Sequence, residues 1–320
     1  MIESSCFLFP IPPPPARLDA LRIYPSSRTR VAGGSVAGLE LGGKDEVGTM
    51  NELFWSKPWR RLRKYQVLFS RGFLQNLQYS ASHLVNAVAS AVFGVIYIYL
   101  WKTVMPRTGF GDYSYNTIVH YVTFNETTMW FTQFGIRCHL RIRDSVRSGN
   151  IAQELVRPMD LFSSTVAYEY GSMVYGLIFR GIPVGLILFR AGYYIPESPG
   201  TWLWTFLALL LGCYIGIVNA YLVGMTAFWT TEIRTAYWVV SMLSMGLGGA
   251  SIPIEVLPEF LYRLARWLPF PCLTFYPARI YLELSGPELL FPGAAWSGIL
   301  TVVAIHATRL ARKRLEVQGG

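Results

Sequence analysis

Long apolar blocks alternate along the chain with short polar connections rich in arginine. A helix that crosses a bilayer needs about 20 mostly apolar residues. Gly72 to Trp101 contains no Asp, Glu, Lys or Arg, and Ala87 to Leu100 forms the heart of a first predicted span, 81–103. A second, 114–136, is more polar and carries Glu126 beside Thr123, Asn125, Thr127 and Thr128. A third, 164–189, has Arg180 inside it, whereas 202–227 is uncharged throughout. Two more, 235–254 and 289–309, bring the predicted set to six.

The two charged spans are decided by magnitude. The third holds eleven Leu, Ile, Val or Phe. Each favours insertion by roughly 0.3–0.6 kcal/mol, against about 3 kcal/mol for a central arginine, so the sum still favours the membrane. The second has fewer apolar residues, and its insertion requires neighbouring helices to shield Glu126.

Two further segments carry one-sided stripes. From Trp59 to Phe73, Leu62, Tyr65, Phe69 and Phe73 recur at helical spacing, with Arg60, Arg61, Arg63 and Lys64 off the stripe. That pattern predicts a basic amphipathic helix lying on the anionic cytoplasmic leaflet. Later, Leu257, Phe260, Leu261, Leu264 and Leu268 form a stripe opposite Glu259, Arg263 and Arg266, bracketed by Pro253, Pro258, Pro269 and Pro271. This predicts a short external helix that dips into the outer leaflet or caps the bundle. The expected fold class is thus an all-α polytopic membrane protein over residues 50–320. It has six transmembrane helices, an N-terminal amphipathic interfacial helix and a short external amphipathic helix before the last span.

Composition agrees. Hydrophobic residues make up 52% of the chain and charged residues 15%, against about 25% charged in soluble domains, so too few charges remain to coat a soluble globule. The net charge of +9 reads as cytoplasmic loops rather than nucleic-acid binding. With both termini inside, sixteen Lys and Arg near the span ends fall on the cytoplasmic side and six on the other. A multi-pass protein of the cell membrane (plasma or inner) with cytoplasmic termini is expected.

Residues 1–49 differ from the rest. Pro10 and the run Pro12 to Pro15, followed by Gly33, Gly34, Gly38, Gly42, Gly43 and Gly48, predict a disordered Pro/Gly-rich arm. Met50 opens a more conventional membrane-protein beginning, so the arm is either an extension or a product of start-site choice. Within it, Gly38 to Lys44 has the spacing of a phosphate-binding loop, but Asp45 stands where Ser or Thr must hold magnesium, and no strand precedes it.

Signs of catalysis are few. His83, His120, His139 and His306 have no metal-ligand spacing, and Cys6, Cys138, Cys213 and Cys272 form no CxxC pair. Neither a cofactor nor a metal is expected. Gly181/Gly185 and Gly212/Gly216 suit close helix approach. Glu126 and Arg180 stand out as intramembrane charges, which line a transport path or pair structurally.

The segment Arg143 to Asp160, RDSVRSGNIAQELVRPMD, resembles the loop after the second span in permease subunits of the type-2 ABC exporter family, where RxGNIAxxLLRPxD is typical. Ser251 to Pro258, Leu268 to Phe270, Pro277 to Leu282 and Ala227 to Glu232 resemble further parts of that family, in matching order over roughly 57–314. The resemblance implies a permease that is not itself an enzyme. It implies work as a homodimer, or as a heterodimer with a second six-span permease, together with cytoplasmic ABC ATPase subunits. It also makes Arg147, Gly149, Asn150, Glu154, Arg157, Pro158 and Asp160 an ATPase-coupling loop. The competing class is an ion-coupled secondary transporter using Glu126 and Arg180, which would normally show internal repeats; the sequence shows no convincing repeat. An intramembrane enzyme would need paired catalytic residues, which are missing.

Overall fold

The computed structural model describes residues 58–77, 80–104, 113–156, 159–230 and 232–318. The arm 1–49, its near-miss loop, Lys57, Arg107, Arg157 and Pro158 lie outside the described residues. Those described fold almost entirely into helices: α1 (Pro58–Leu77), α2 (Ser80–Val104), α3 (Tyr115–Met129), α4 (Cys138–Arg147), α5 (Ile151–Val156), α6 (Leu161–Gly176), α7 (Ile182–Gly192), α8 (Pro199–Met225), α9 (Arg234–Leu247), α10 (Glu259–Arg266), α11 (Phe275–Tyr281) and α12 (Leu290–Gln318). A π-helical turn, Trp130–Phe134, prolongs α3, and another, Leu177–Gly181, joins α6 to α7.

Among the described residues, four stretches are long and apolar enough to cross a membrane: Val85–Val104, Leu161–Arg190, Pro199–Phe228 and Pro287–Arg314. The helices at the second and fifth predicted spans are shorter. At 1.5 Å per residue, the 14 residues of α9 rise about 21 Å. The pattern predicts continuation to 254, but α9 stops at Leu247 because the chain turns at Gly248 and Gly249, the latter with φ of +75°. That turn is captured from three sides. Tyr121 Oη and Asn125 Nδ2 donate to the Gly249 carbonyl, and Thr274 Oγ1 donates to that of Gly248 at 2.8 Å. A Cβ at Gly249 would lie 2.9 Å from both Tyr121 Oη and Phe275 Cβ, so position and conformation alike demand glycine.

Helix α1 lies against α6 at a crossing so close that it leaves no room for side chains. A Cβ on Gly72 would fall 2.0 Å from the Tyr168 carbonyl oxygen, and one on Gly171 would fall 1.9 Å from that of Phe69. Of the predicted α1 stripe, Phe73 packs edge-on against Tyr175, while Leu62 and Phe69 are exposed. The α10 stripe also divides. Leu261 and Leu268 are half-buried, but Phe260 and Leu264 point outward beside Trp267. Both helices are shorter in their buried contacts than the stripes imply, because each stripe serves two surfaces.

Uncharged α8 is the central post: Ile215, Ile217, Val218 and Tyr221 are fully buried. Helix α12 runs beside it, tied by hydrogen bonds shared between Tyr221 and Thr308 and between Tyr214 and Thr301.

Candidate functional site

Polar chemistry gathers at the two ends of this bundle. At one end, α4 begins at Cys138 beneath α8, where Ile142 packs within 3.0 Å of a Cβ placed on Gly224. One turn on, Arg141 forms an ion pair with Glu169 of α6 at 3.3 Å, and its guanidinium stacks 4.0 Å from the Tyr168 ring centroid. Glu169 is 2% exposed and also accepts the backbone N–H of Arg137 at 3.3 Å. Tyr168 in turn donates to Gln75 of α1. One short stretch of α6 therefore fastens α1, α4 and the residue that leads into α4. Sequence reasoning weighs Arg180 in this apolar stretch and passes over Glu169, although an acidic residue inside such a block is itself the signal.

The segment predicted to couple follows at the same end. Arg147 closes α4, and Gly149 has φ of +75° with nothing within 4 Å of where a Cβ would stand. The Asn150 carbonyl accepts from the backbone N–H groups of Gln153 and Glu154 as α5 begins. Glu154 Oε1 accepts from Ser145 Oγ at 3.1 Å, folding α5 back on α4. Asp160 caps α6, accepting from the Ser163 N–H at 3.1 Å, and stands 3.7 Å from Arg312 of α12. Glu154 and Asp160 thus already have partners within the chain. Across from α4, the Glu232 carboxyl is held below its ordinary value by the Arg234 N–H, then by the charges of Arg234, Arg147 and Arg143.

His139, 3% exposed, stacks on Tyr237 of α9 with centroids 4.0 Å apart and planes 12° from parallel. Burial first, and then Arg143 and Arg137, push the imidazole down to about 4, so it is neutral at physiological pH. This contact has no signature in the sequence, since 98 residues separate its partners.

Glu126 and Arg180 are both buried, at 4% and 6% exposed, but the ion pairs among the described residues do not join them. Arg180 lies in the second π-turn, 5.4 Å over the Trp130 ring of the first. Glu126 packs beside Gly94 of α2 instead.

At the other end, Glu283 adopts φ of 56° and gathers four donors: Tyr194 Oη, Thr201 Oγ1 at 2.8 Å, and the backbone N–H groups of Ser198 at 3.1 Å and Glu197 at 3.3 Å. These donors surround the N-terminus of α8, whose dipole favours an anion. The Tyr194 hydrogen bond first, and the others after it, hold Glu283 down at about 2. Nearby, Arg279 pairs with Glu255 and donates to Ser285 Oγ at 2.8 Å. The two clusters draw α11, the turn before α10 and the loop after α7 into one cap.

Taken together, these are the features of an all-helical, multi-pass membrane transport component, with polar groups concentrated at its ends and no catalytic constellation among the described residues. The family model described as ABC-2 family transporter protein matches residues 84–319, and the chain belongs to that family as a type-2 ABC permease. Members of the family are membrane transport components that work with ABC ATPase subunits. Neither a curated protein nor a solved structure matches the chain.

Proposed function

We propose that the chain is the permease subunit of an ATP-driven exporter, forming its substrate path as a dimer and driven by separate cytoplasmic ATPase subunits. In this reading the protein crosses the cell membrane six times, with both termini and the α4–α5 segment in the cytoplasm. Two of the six crossings are the short helices α3, buried among its neighbours, and α9, which turns an apolar face outward. The basic α1 lies along the inner leaflet, and α10 sits at the outer one.

The observation that carries the reading is the attachment of α4. An ATPase can drive a permease only through contacts that differ between its nucleotide states, and those contacts must reach the spanning helices. Helix α4 is fixed to α6 through Arg141 and Glu169 and to α9 through the His139–Tyr237 stack. Displacement of α4–α5 therefore moves two separate parts of the bundle. Arg147, Gly149, Asn150, Glu154, Arg157, Pro158 and Asp160 form the coupling loop, and Glu126 and Arg180 line the path.

The test places a photocrosslinking amino acid at exposed Gln153 in native membranes. Capture of an ABC ATPase subunit is expected. Capture of lipid or of nothing in membranes that contain the ATPase would overturn the coupling assignment. Separately, Glu126→Gln should reduce transport without creating or abolishing a pH dependence. Loss of a proton-coupled flux in that variant would favour the secondary transporter instead.

A further inference from the structure

Helix α9 is held loosely: Ser244 alone among its residues is buried, while Trp238, Val239, Met242 and Leu243 are exposed by 40–53%. Between α9, α8 and the first π-turn lies a narrow cleft of about 40 Å³, room for water alone. In this conformation it is nearly closed, and it must widen to receive more than a water molecule. Its polar lining comprises Gln133, Asn219, Tyr237, Ser241 and Ser244, set among apolar walls such as Ile136 and Leu273. None of the lining residues is acidic or basic. The amide nitrogens of Gln133 and Asn219 are buried without an acceptor, a state that costs stability until a ligand oxygen or water supplies one.

We propose that this cleft binds the uncharged, carbonyl-bearing head of an amphiphile, and that the His139–Tyr237 stack couples α4 to its opening. The inference rests on the transport reading above for its purpose, and it adds the class of molecule handled. Two unsatisfied amide donors and a serine hydroxyl match ester, amide or ketone oxygens. The apolar walls match the first carbons of a chain. An ionised head would enter without a counter-charge, and burying an unpaired ion costs several kcal/mol. Tyr237 lines the cleft on one side of α9 and meets His139 of α4 through the same ring, so a shift of α4 must pull or release the cleft wall.

Two matched photoreactive probes carrying diazirine acyl chains test this in purified protein in nanodiscs: a diacylglycerol, which is neutral, and the corresponding phosphatidic acid. Labelled peptides are mapped by mass spectrometry. Diacylglycerol is expected to label the segments 130–136 and 237–244 on the order of ten-fold more than phosphatidic acid, given the penalty for an unpaired anion. Asn219→Leu should remove most of that label, and so should Ser241→Trp, which fills the cleft from the half-buried face of a helix that can move. Melting temperature and gel filtration identify any variant that has simply unfolded. Equal labelling by the two probes, or labelling indifferent to both substitutions in folded protein, would overturn the proposal. In energised native vesicles, label lost on ATP addition marks the amphiphile as cargo, and label retained marks it as a resident lipid; either keeps the site. The nanodisc labelling needs no ATPase, so its failure leaves the Gln153 crosslink to judge the permease reading independently.

Discussion

Glu169 of α6 and Arg141 of α4 meet at 3.3 Å, with the carboxylate side chain 3% exposed and the guanidinium 37% exposed. The asymmetry in burial decides what each substitution does. Arg141→Ala leaves a carboxylate in an apolar wall with only the Arg137 N–H and charge to oppose it, and with Arg141 partly exposed the cost falls below the roughly 3–5 kcal/mol of a fully buried pair, at about 2 kcal/mol. Glu169→Gln instead lets Arg141 turn toward solvent, and the amide oxygen still accepts from Arg137. Its expected cost is about 1 kcal/mol, the range of a single hydrogen bond. Thermal unfolding of both variants in detergent checks the order. Equal destabilisation, or the reverse, would show that the ion pair is not what fixes α4.

The crossing of α1 over α6 gives a sharper test because it is steric. Gly72→Ala and Gly171→Ala each drive a methyl into a backbone carbonyl at about 2 Å, so the helices must separate. Overpacking of this kind typically costs about 1–3 kcal/mol, and here it should also free α1 to proteolysis. Gly298→Ala on α12 is the control, since nothing lies within 4 Å of its Cβ. It should be neutral or slightly stabilising.

How much of this was legible beforehand depends on the range of each interaction. The long helices α2, α6–α7, α8 and α12 were readable because an uninterrupted apolar block needs no partner to declare itself. The family was readable from Arg143 to Asp160, a local string. The apolar pattern carries α9 seven residues past its end, because what stops it is Tyr121, Asn125 and Thr274 reaching for two carbonyls from 26 to 128 residues away. The α10 stripe was read as one apolar face, whereas tertiary packing gives Leu261 to the bundle and leaves Phe260 outside. Glu126 and Arg180 drew notice as buried charges, but composition cannot tell which of them meet. Glu283 gave no signal at all, since its role comes from a positive φ and from donors some 82–89 residues away.

That carboxylate makes a prediction about pH. Its folded value of about 2 lies below the ordinary 4.5, so Glu283 contributes stability that is complete above about 4.5 and is lost as pH falls toward 2. Tyr194, bonded to it, is pushed up from 10.0 to about 12. It therefore contributes below 10.0 and stops contributing as pH rises through 12. Glu283→Gln should flatten the acid limb of a melting-temperature profile between pH 5 and 3 and leave the plateau between pH 6 and 9 level. An acid limb of unchanged slope would locate the titrating group elsewhere.

Gly149 offers the most direct trial of coupling. Its φ of +75° turns the chain between α4 and α5, and proline is locked near −65°, so Gly149→Pro must re-aim α5. Nothing packs where the new side chain would stand, and the Glu169–Arg141 pair and the spanning helices lie elsewhere. Insertion should therefore stay near wild type and thermal stability fall by no more than the lost Gly149–Val146 and Ser145–Glu154 hydrogen bonds, about 1 kcal/mol each, while ATP hydrolysis by the assembled complex no longer responds to transport substrate. Gly149→Asn is the conservative partner, because asparagine enters the left-handed region more readily than other residues with a side chain. It should restore most of the response. Reconstituted complexes assayed for hydrolysis with and without substrate separate the cases. If proline and asparagine behave alike, the direction of α5 does not matter, and the segment is reduced to its positive charge and its part in setting orientation.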